Sequence, residues 1–201
     1  MVYNPPEPLV LHGALVASFS DEEFFDFCQA NPDLRIERNT QGEIIIMTPA
    51  GFVSSAQSLE VARQLGNWNK ASKLGRVADS SAGYVLPDGA TLSPDASWVS
   101  LAKLEGISVA SRRKFLHVCP EFVVEVLSPT DRLADAQAKM SQWLANGTQL
   151  GFLLTDSPET AYVYRAGQPV EVLLGFDREL SGEQVLPGFQ LDLRELREVT
   201  T

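Results

Sequence analysis

Hydrophobic positions along this chain switch between a helical and a strand period, and the switches divide it into elements. Ser20-Asp21-Glu22-Glu23 has capping-box spacing, and Phe24, Phe25 and Phe27 follow as an apolar face until Asn31-Pro32. That predicts a first helix. Leu34 to Arg38 alternates, Asn39-Thr40-Gln41-Gly42 can turn, and Glu43 to Met47 is apolar again, which predicts a hairpin. From Ser54 or Ser55, as caps, to about Lys70 the helical period returns, with Leu59, Ala62, Leu65 and Trp68 on one face. Leu74–Ala78, Gly83–Leu86 and Thr91–Val99 read as three short strands, expected to pair antiparallel, with Pro87-Asp88-Gly89 as a turn. Residues 100–118 read as a loop with a short helix.

A continuous apolar run follows at residues 121–127, as expected of a strand covered on both faces. Asp131 to Asn146 is helical, with Asn146-Gly147 as its C-cap. Gly151–Leu154, Ala161–Tyr164 and Val170–Leu174 read as strands. Leu186–Leu191 closes the core, and Asp192–Val199 reads as a terminal helix. Before all of this, residues 1–18 carry three prolines around Leu9-Val10-Leu11 and predict an arm laid across the domain. Strands joined partly by hairpins and partly by helices make an α/β protein with a mixed sheet flanked by helices, an N-terminal hairpin and additional C-terminal strands. At 201 residues, without repeats or linkers, residues 1–201 are expected to form a single domain.

Charge narrows the function classes. Sixteen Lys and Arg against twenty-six Asp and Glu give a formal charge of −10, a field that repels polyanions at long range and disfavours a general nucleic-acid coat protein. Bound metal ions are not part of that count, so a metal-dependent site is compatible with it. The densest basic run, Arg112-Arg113-Lys114, reads as a solvated loop. Two cysteines, Cys28 and Cys119, lie far apart, and His12 and His117 are the only histidines, which disfavours zinc sites of the His and Cys kind. Free thiols and the lack of a signal or an apolar span point to a cytoplasmic protein with no membrane partner.

The candidate chemistry begins with Phe122-Val123-Val124-Glu125-Val126-Leu127, where one carboxylate sits inside an apolar strand. Burying a carboxylate is costly unless a cation, a metal or hydrogen bonds compensate it. Asp95, in Ser93-Pro94-Asp95-Ala96-Ser97-Trp98-Val99, poses the same question at the start of another strand. If the two strands are neighbours, two carboxylates converge, and a divalent cation is the simplest way to keep both ionised. The carbonyl of Val126 can add an oxygen ligand. Lys139 on the following helix either reaches this site or pairs at the surface with Asp135 one turn earlier. Trp143 and Met140 read as core, while Ser128, Thr130 and Asp131 read first as capping residues.

Taken in order, Gly42 to Met47, Asn67-Trp68-Asn69, Leu86 to Trp98, Cys119 to Glu125, Ser128-Pro129-Thr130-Asp131, Lys139-Met140, Asn146-Gly147 and Val185 to Phe189 resemble the Uma family of restriction-endonuclease-like proteins. The resemblance spans nearly the whole chain and extends to the PD-(D/E)XK nuclease superfamily. It implies a restriction-endonuclease-like sheet, with Asp95 and Glu125 as the acidic pair and Lys139 as the catalytic lysine. The superfamily pattern puts that lysine two residues after the second acid, where this chain has Leu127; in this branch it is transferred to the next helix. Relatives also carry a glutamate at the start of the 54–70 helix, where Val53 stands here, and Glu60 remains further along.

The implied function is a metal-dependent endonuclease hydrolysing phosphodiester bonds of DNA. Catalysis would rest on Asp95, Glu125 and Lys139, with Mg2+, or Mn2+, held by Asp95, Glu125 and the Val126 carbonyl. Lys139 would orient the attacking water or help to deprotonate it. A homodimer is expected. The alternative is a binding or assembly protein that keeps the nuclease scaffold without its activity.

Overall fold

The computed structural model describes residues 8–129 and 131–199; residues 1–7 of the expected arm and Thr130, a candidate cap, lie outside the described residues. The described part of the arm forms β1 (Leu9–Leu11) and a short α1 (Ala14–Ala17). Helix α2 (Asp21–Ala30) has the expected capping box: Glu23 N–H donates to the Ser20 side chain, and the Glu23 carboxylate accepts from Ser20 N–H. The predicted hairpin is β2 (Arg35–Arg38) and β3 (Ile44–Met47), closed by the Asn39 side chain, which accepts from Gln41 N–H and Glu43 N–H. Then come α3 (Phe52–Ser72), β4 (Gly75–Asp79), β5 (Tyr84–Val85), β6 (Thr91–Leu92), β7 (Ala96–Ser100) and α4 (Leu101–Leu104). A 3-10 turn at Ser111–Arg113 precedes β8 (Phe122–Leu127) and α5 (Leu133–Ala145). The chain ends with β9 (Leu150–Asp156), β10 (Glu159–Arg165), β11 (Glu171–Leu174), β12 (Glu179–Ser181), β13 (Gln190–Asp192) and α6 (Arg194–Glu198).

These strands make two main sheets and a small two-stranded one, β12 with β13. One main sheet has the order β11-β10-β9-β8-β7-β4, and the other β1-β3-β2-β6-β5. Strand β8 lies at the heart of the first, antiparallel to β7 and parallel to β9, and α5 is the crossover between β8 and β9. Phe122, Val124 and Val126 pack with Val61 and Leu65 of α3. Val123 points the other way, into a cluster with Met140 and Trp143 of α5. With a helix on each face, β8 carries a continuous apolar run, and Glu125 shares the α5 face with Val123. A third cluster joins Phe24 of α2 to Ile36 and Ile44 of the hairpin.

Three local expectations are corrected. The strand expected over 91–99 is two strands in different sheets, β6 and β7. Pro94 has no N–H for a ladder, and Asp95 uses its side chain on β8 instead. Helix α3 starts earlier than read, with Gly51 as its N-cap, so Ser54 and Ser55 are not caps; Ser54 is buried. The face of α3 is also shifted in part. Leu65 is buried and Ala62 and Trp68 pack against the core as expected, but Leu59 is 71% exposed, and Ser54, Gln57 and Val61 are buried instead.

The turn from α3 into β4 depends on Asn69. Its carbonyl oxygen accepts from Gly75 N–H and Trp98 Nε1–H, and its amide donates to Gly75 O. A β-carbon at Gly75 would lie 2.4 Å from the Trp98 ring, so only glycine lets β4 and β7 meet there.

Candidate active site

Strand β7 ends before β8 does, and that difference creates the site. Ala96 is the first β7 residue paired with β8, opposite Val124, so on its β7 edge Val126 has no strand residue across from it, while β9 pairs Leu154 with it on the other edge. Its N–H donates to Asp95 Oδ2 at 2.8 Å. The N–H and C=O of a strand residue project to the same edge, so the Val126 carbonyl lies on the Asp95 side too. Glu125, one residue earlier, projects from the face covered by α5. There its Oε1 accepts from Trp143 Nε1–H at 3.0 Å and lies 3.0 Å from Lys139 Nζ.

The spacing of α5 explains why both partners arrive together: positions 139 and 143 are one turn apart on one face, so a core tryptophan and a lysine approach the same carboxylate. Lys139 therefore does not pair with Asp135, which is 67% exposed and sits beside Arg132. Asp131 accepts from Ser128 N–H at 2.9 Å and ties the β8–α5 loop, whereas the helix N-cap is Arg132.

The residue that sequence reasoning missed is Glu37. It is buried on β2, in the other sheet, and its Oε1 accepts from Lys139 Nζ at 2.9 Å and from Ser93 N–H at 2.9 Å. Lys139 Nζ also donates to Ser93 O at 2.9 Å. One carboxylate thus pins the lysine and the Ser93-Pro94-Asp95 segment at once. Two residues back on the same face of β2, Arg35 places a guanidinium nitrogen 3.8 Å from Asp95 Oδ1. Nothing local in the sequence marks this pair. Arg35-Ile36-Glu37-Arg38 reads as a half-solvated strand, but α2 covers Ile36 and Arg38 on one face and the site covers Arg35 and Glu37 on the other.

Electrostatics follow from the burial. The Glu125 carboxyl is pushed up to about 7, first by loss of solvation and then by the Asp95 and Glu37 charges, against the opposing pull of Lys139 and Trp143. Asp95 is raised too, again mainly by burial, with the Val126 N–H and the Lys139 and Arg35 charges opposing. Burial acts to lower Lys139, but Glu125, Glu37 and Asp95 outweigh it and hold the amine above its ordinary range. Lys139 is accordingly an ammonium, with Glu37, Ser93 O and Glu125 around its three N–H donors.

Other candidates lie elsewhere. Glu60 is engaged by Arg63 and Gln64 and neighbours Glu195 of α6. The basic run is not a track: Arg112 donates to Ile107 O and Leu104 O, and Lys114 pairs with Glu22. Cys28 and Cys119 are free thiols. Among the described residues, no group of three His, Cys, Asp or Glu is placed to hold a metal ion, and no helix is long and apolar enough to cross a membrane.

Comparison with known proteins bears on the whole arrangement. The model of the Uma2 family, described as "Putative restriction endonuclease", matches residues 21–194. The chain belongs to the Uma2 family. Among solved structures, one described as a "putative nuclease" from Anabaena variabilis superposes with a TM-score of 0.75 at 20% identity, covering 91% of this chain and 99% of that one. At that identity the likeness carries the fold alone: this Uma2 chain has an α/β architecture of mixed sheets flanked by helices, consistent with a restriction-endonuclease-like fold. No curated protein matches it.

Proposed function

We propose that this Uma2 protein is a divalent-metal-dependent endonuclease hydrolysing phosphodiester bonds of DNA, with Asp95, Glu125 and Lys139 as its catalytic residues. One observation carries the reading: β8 and α5 bring Glu125 and Lys139 to 3.0 Å, while the end of the same strand holds Asp95 through Val126 N–H. The donor set suits the metal. Asp95, Glu125 and the Val126 carbonyl offer only oxygen, the preference of Mg2+ and Mn2+, and Mg2+ retains waters, so it needs only one or two carboxylates from the protein. The charge suits it too. Glu37, Asp95 and Glu125 outnumber Lys139 and Arg35, leaving an excess of negative charge in a largely buried place.

When bound, the metal supplies Lewis-acid polarisation of a phosphoryl oxygen and lowers the pKa of its water. The protein's own residues do the rest. Asp95 is anchored through Oδ2, leaving Oδ1 as a ligand oxygen, and Glu125 is anchored through Oε1, leaving Oε2. With Glu125, Glu37 and Asp95 holding it as an ammonium, Lys139 is a charged donor that would orient water and offset negative charge on the phosphoryl group. Its three N–H donors face Glu37, Ser93 O and Glu125, so donating one of them to substrate would require a contact to give way, most directly the one to Glu125, whose carboxylate would also hold the metal.

The test is cleavage of end-labelled DNA with Mg2+ or Mn2+ by wild type, Asp95→Ala and Lys139→Ala protein from identical preparations. Metal-dependent cutting should fall roughly a hundredfold or more in both variants, because each loses an interaction realised in the transition state. Cutting that neither substitution changes would refute the assignment.

A second reading, a binding or assembly protein on a nuclease scaffold, is favoured by two features: Lys139 is already fully engaged, and Val53 stands at the start of α3. Calorimetry with Mg2+ separates the two, since a scaffold without a metal site gives no saturable heat. A homodimer fits either reading. Strand β11 is an open sheet edge bearing exposed Val172 and Leu174, where a second copy can pair, and sedimentation reads the assembly state directly.

A further inference from the structure

We infer that Arg35 is a substrate-phosphate ligand of this site, gripping a nonbridging oxygen of the phosphodiester beside the metal on Asp95. The inference rests on the metal-dependent phosphodiesterase reading and adds to it the group that receives the anion.

Donor inventory comes first. A phosphodiester brings oxygen acceptors only, so the site must present donors to it, and an N–H donor that carries positive charge binds an anion most strongly. Trp143 Nε1–H is spent on Glu125, Val126 N–H on Asp95, and Ser93 N–H on Glu37. Lys139 faces three acceptors. Arg35 differs from all of them. Its one ion pair among the described residues is with Asp95 at 3.8 Å, longer than a hydrogen bond, and its side chain is 38% exposed. A guanidinium fork with donors to spare matches the paired oxygens of a phosphate.

Position comes second. Glu37 and Arg35 share one face of β2, and Glu37 is fixed to Lys139 and Ser93. Arg35 is therefore held beside Asp95 at the rim. Strand β6 pairs with β2 only at Arg38 opposite Thr91, so no neighbouring strand covers that edge at Arg35. On its other edge Arg35 is paired with Met47 of β3, which fixes its place along the strand.

Charge comes third. Three carboxylates, Glu37, Asp95 and Glu125, stand against two cationic side chains, Lys139 and Arg35. A divalent ion turns that deficit of one into an excess of one positive charge, which is complementary to the single negative charge of a phosphodiester. Without Arg35 the loaded site would be neutral.

The experiment uses dimethyl phosphate as the probe, titrated into the Mg2+-saturated protein while the arginine Nε–H and Trp143 Nε1–H signals are followed by NMR. Magnesium affinity is measured separately by calorimetry. Wild type should saturate, and Arg35→Gln should bind the diester roughly tenfold or more weakly, with Arg35→Lys in between because it keeps the charge without the fork. Magnesium affinity should change little in either variant. Equal diester binding by wild type and Arg35→Gln, or no saturable binding by wild type, would overturn the inference. So would a loss of magnesium affinity as large as the loss of diester binding, which would make Arg35 a counter-ion of Asp95 and nothing more. DNA cleavage without Arg35-dependent anion binding leaves the nuclease reading standing and removes this one; Arg35-dependent binding by a protein that cuts nothing does the reverse.

Discussion

Strand β8 has a buried glutamate near each end, and the two are treated in opposite ways. Glu121, just before the strand, is 7% exposed and Glu125 is 8% exposed. Glu121 accepts from Ser100 N–H at 3.2 Å and from the Ser100 hydroxyl at 2.6 Å, with Lys103 Nζ 3.7 Å away. Its solvation is replaced by donors that belong to it, and the same serine caps α4. Glu125 has one neutral donor of its own, Trp143, and a lysine that it shares with Glu37. Burial alone does not make a functional carboxylate. What separates the two ends is whether the partners satisfy the charge or leave it in excess.

The largest effect that sharpens this contrast should come from Lys139→Ala in the metal-free protein. It leaves Glu125 and Glu37 without their shared cation, and chemical denaturation should show a loss of about 3 kcal/mol or more. A loss under about 1 kcal/mol, the surface-pair range, would break the comparison. At the other end, Glu121→Ala strands the Ser100 donors and should cost about 1–3 kcal/mol while leaving magnesium binding untouched in calorimetry. Altered magnesium affinity there would mean the two ends are not independent.

Glu125→Gln should act through pH. The folded-state pKa is raised from 4.5 to about 7, so between those values the folded protein binds more protons than the unfolded chain. The stability contributed by this group is full below about pH 4.5 and is lost as pH rises through about 7. Thermal melts of the metal-free wild type should show that decline and those of the glutamine variant should lack it, making the variant the more stable of the two above pH 7, by about 1–2 kcal/mol. The same variant should lose magnesium binding. Parallel pH profiles would remove Glu125 from the excess-charge account. The smallest effect is expected for Lys103→Met, where Glu121 keeps both serine donors; denaturation should report a change of about 1 kcal/mol or less.

The periodic elements of this Uma2 chain were legible because period is a local property. The capping box at Ser20, the apolar run of β8 and the helical spacing of α5 each lie within a few residues. Asp95 and Glu125 were legible for a different reason: an acid in an apolar context needs compensation wherever the chain goes. Lys139 was not legible from spacing, since Asp135 offered an equally good local partner, and only the family resemblance singled it out. On α3, Ala62, Leu65 and Trp68 were legible, but Leu59 was misplaced because hydrophobicity favoured it, whereas the neighbouring structure accepts Gln57, whose amide reaches Leu196 O at 3.4 Å. The break at Ser93-Pro94-Asp95 was missed because an apolar and small-residue run looks continuous until the partners of its backbone are known.

By itself, then, the sequence determined the element types, the mixed α/β class and the presence of a charge that burial leaves to be answered. Only the tertiary structure decided what answers it. Glu37 and Lys139 are 102 positions apart and stand on different layers, and Arg35 reaches Asp95 from a sheet other than the one that Asp95 leads into. Period and propensity act over one turn of helix or two residues of strand. A shared cation is a long-range contact, fixed when α5 and the β2–β3 hairpin close over the end of β8, and its strength depends on the water excluded there.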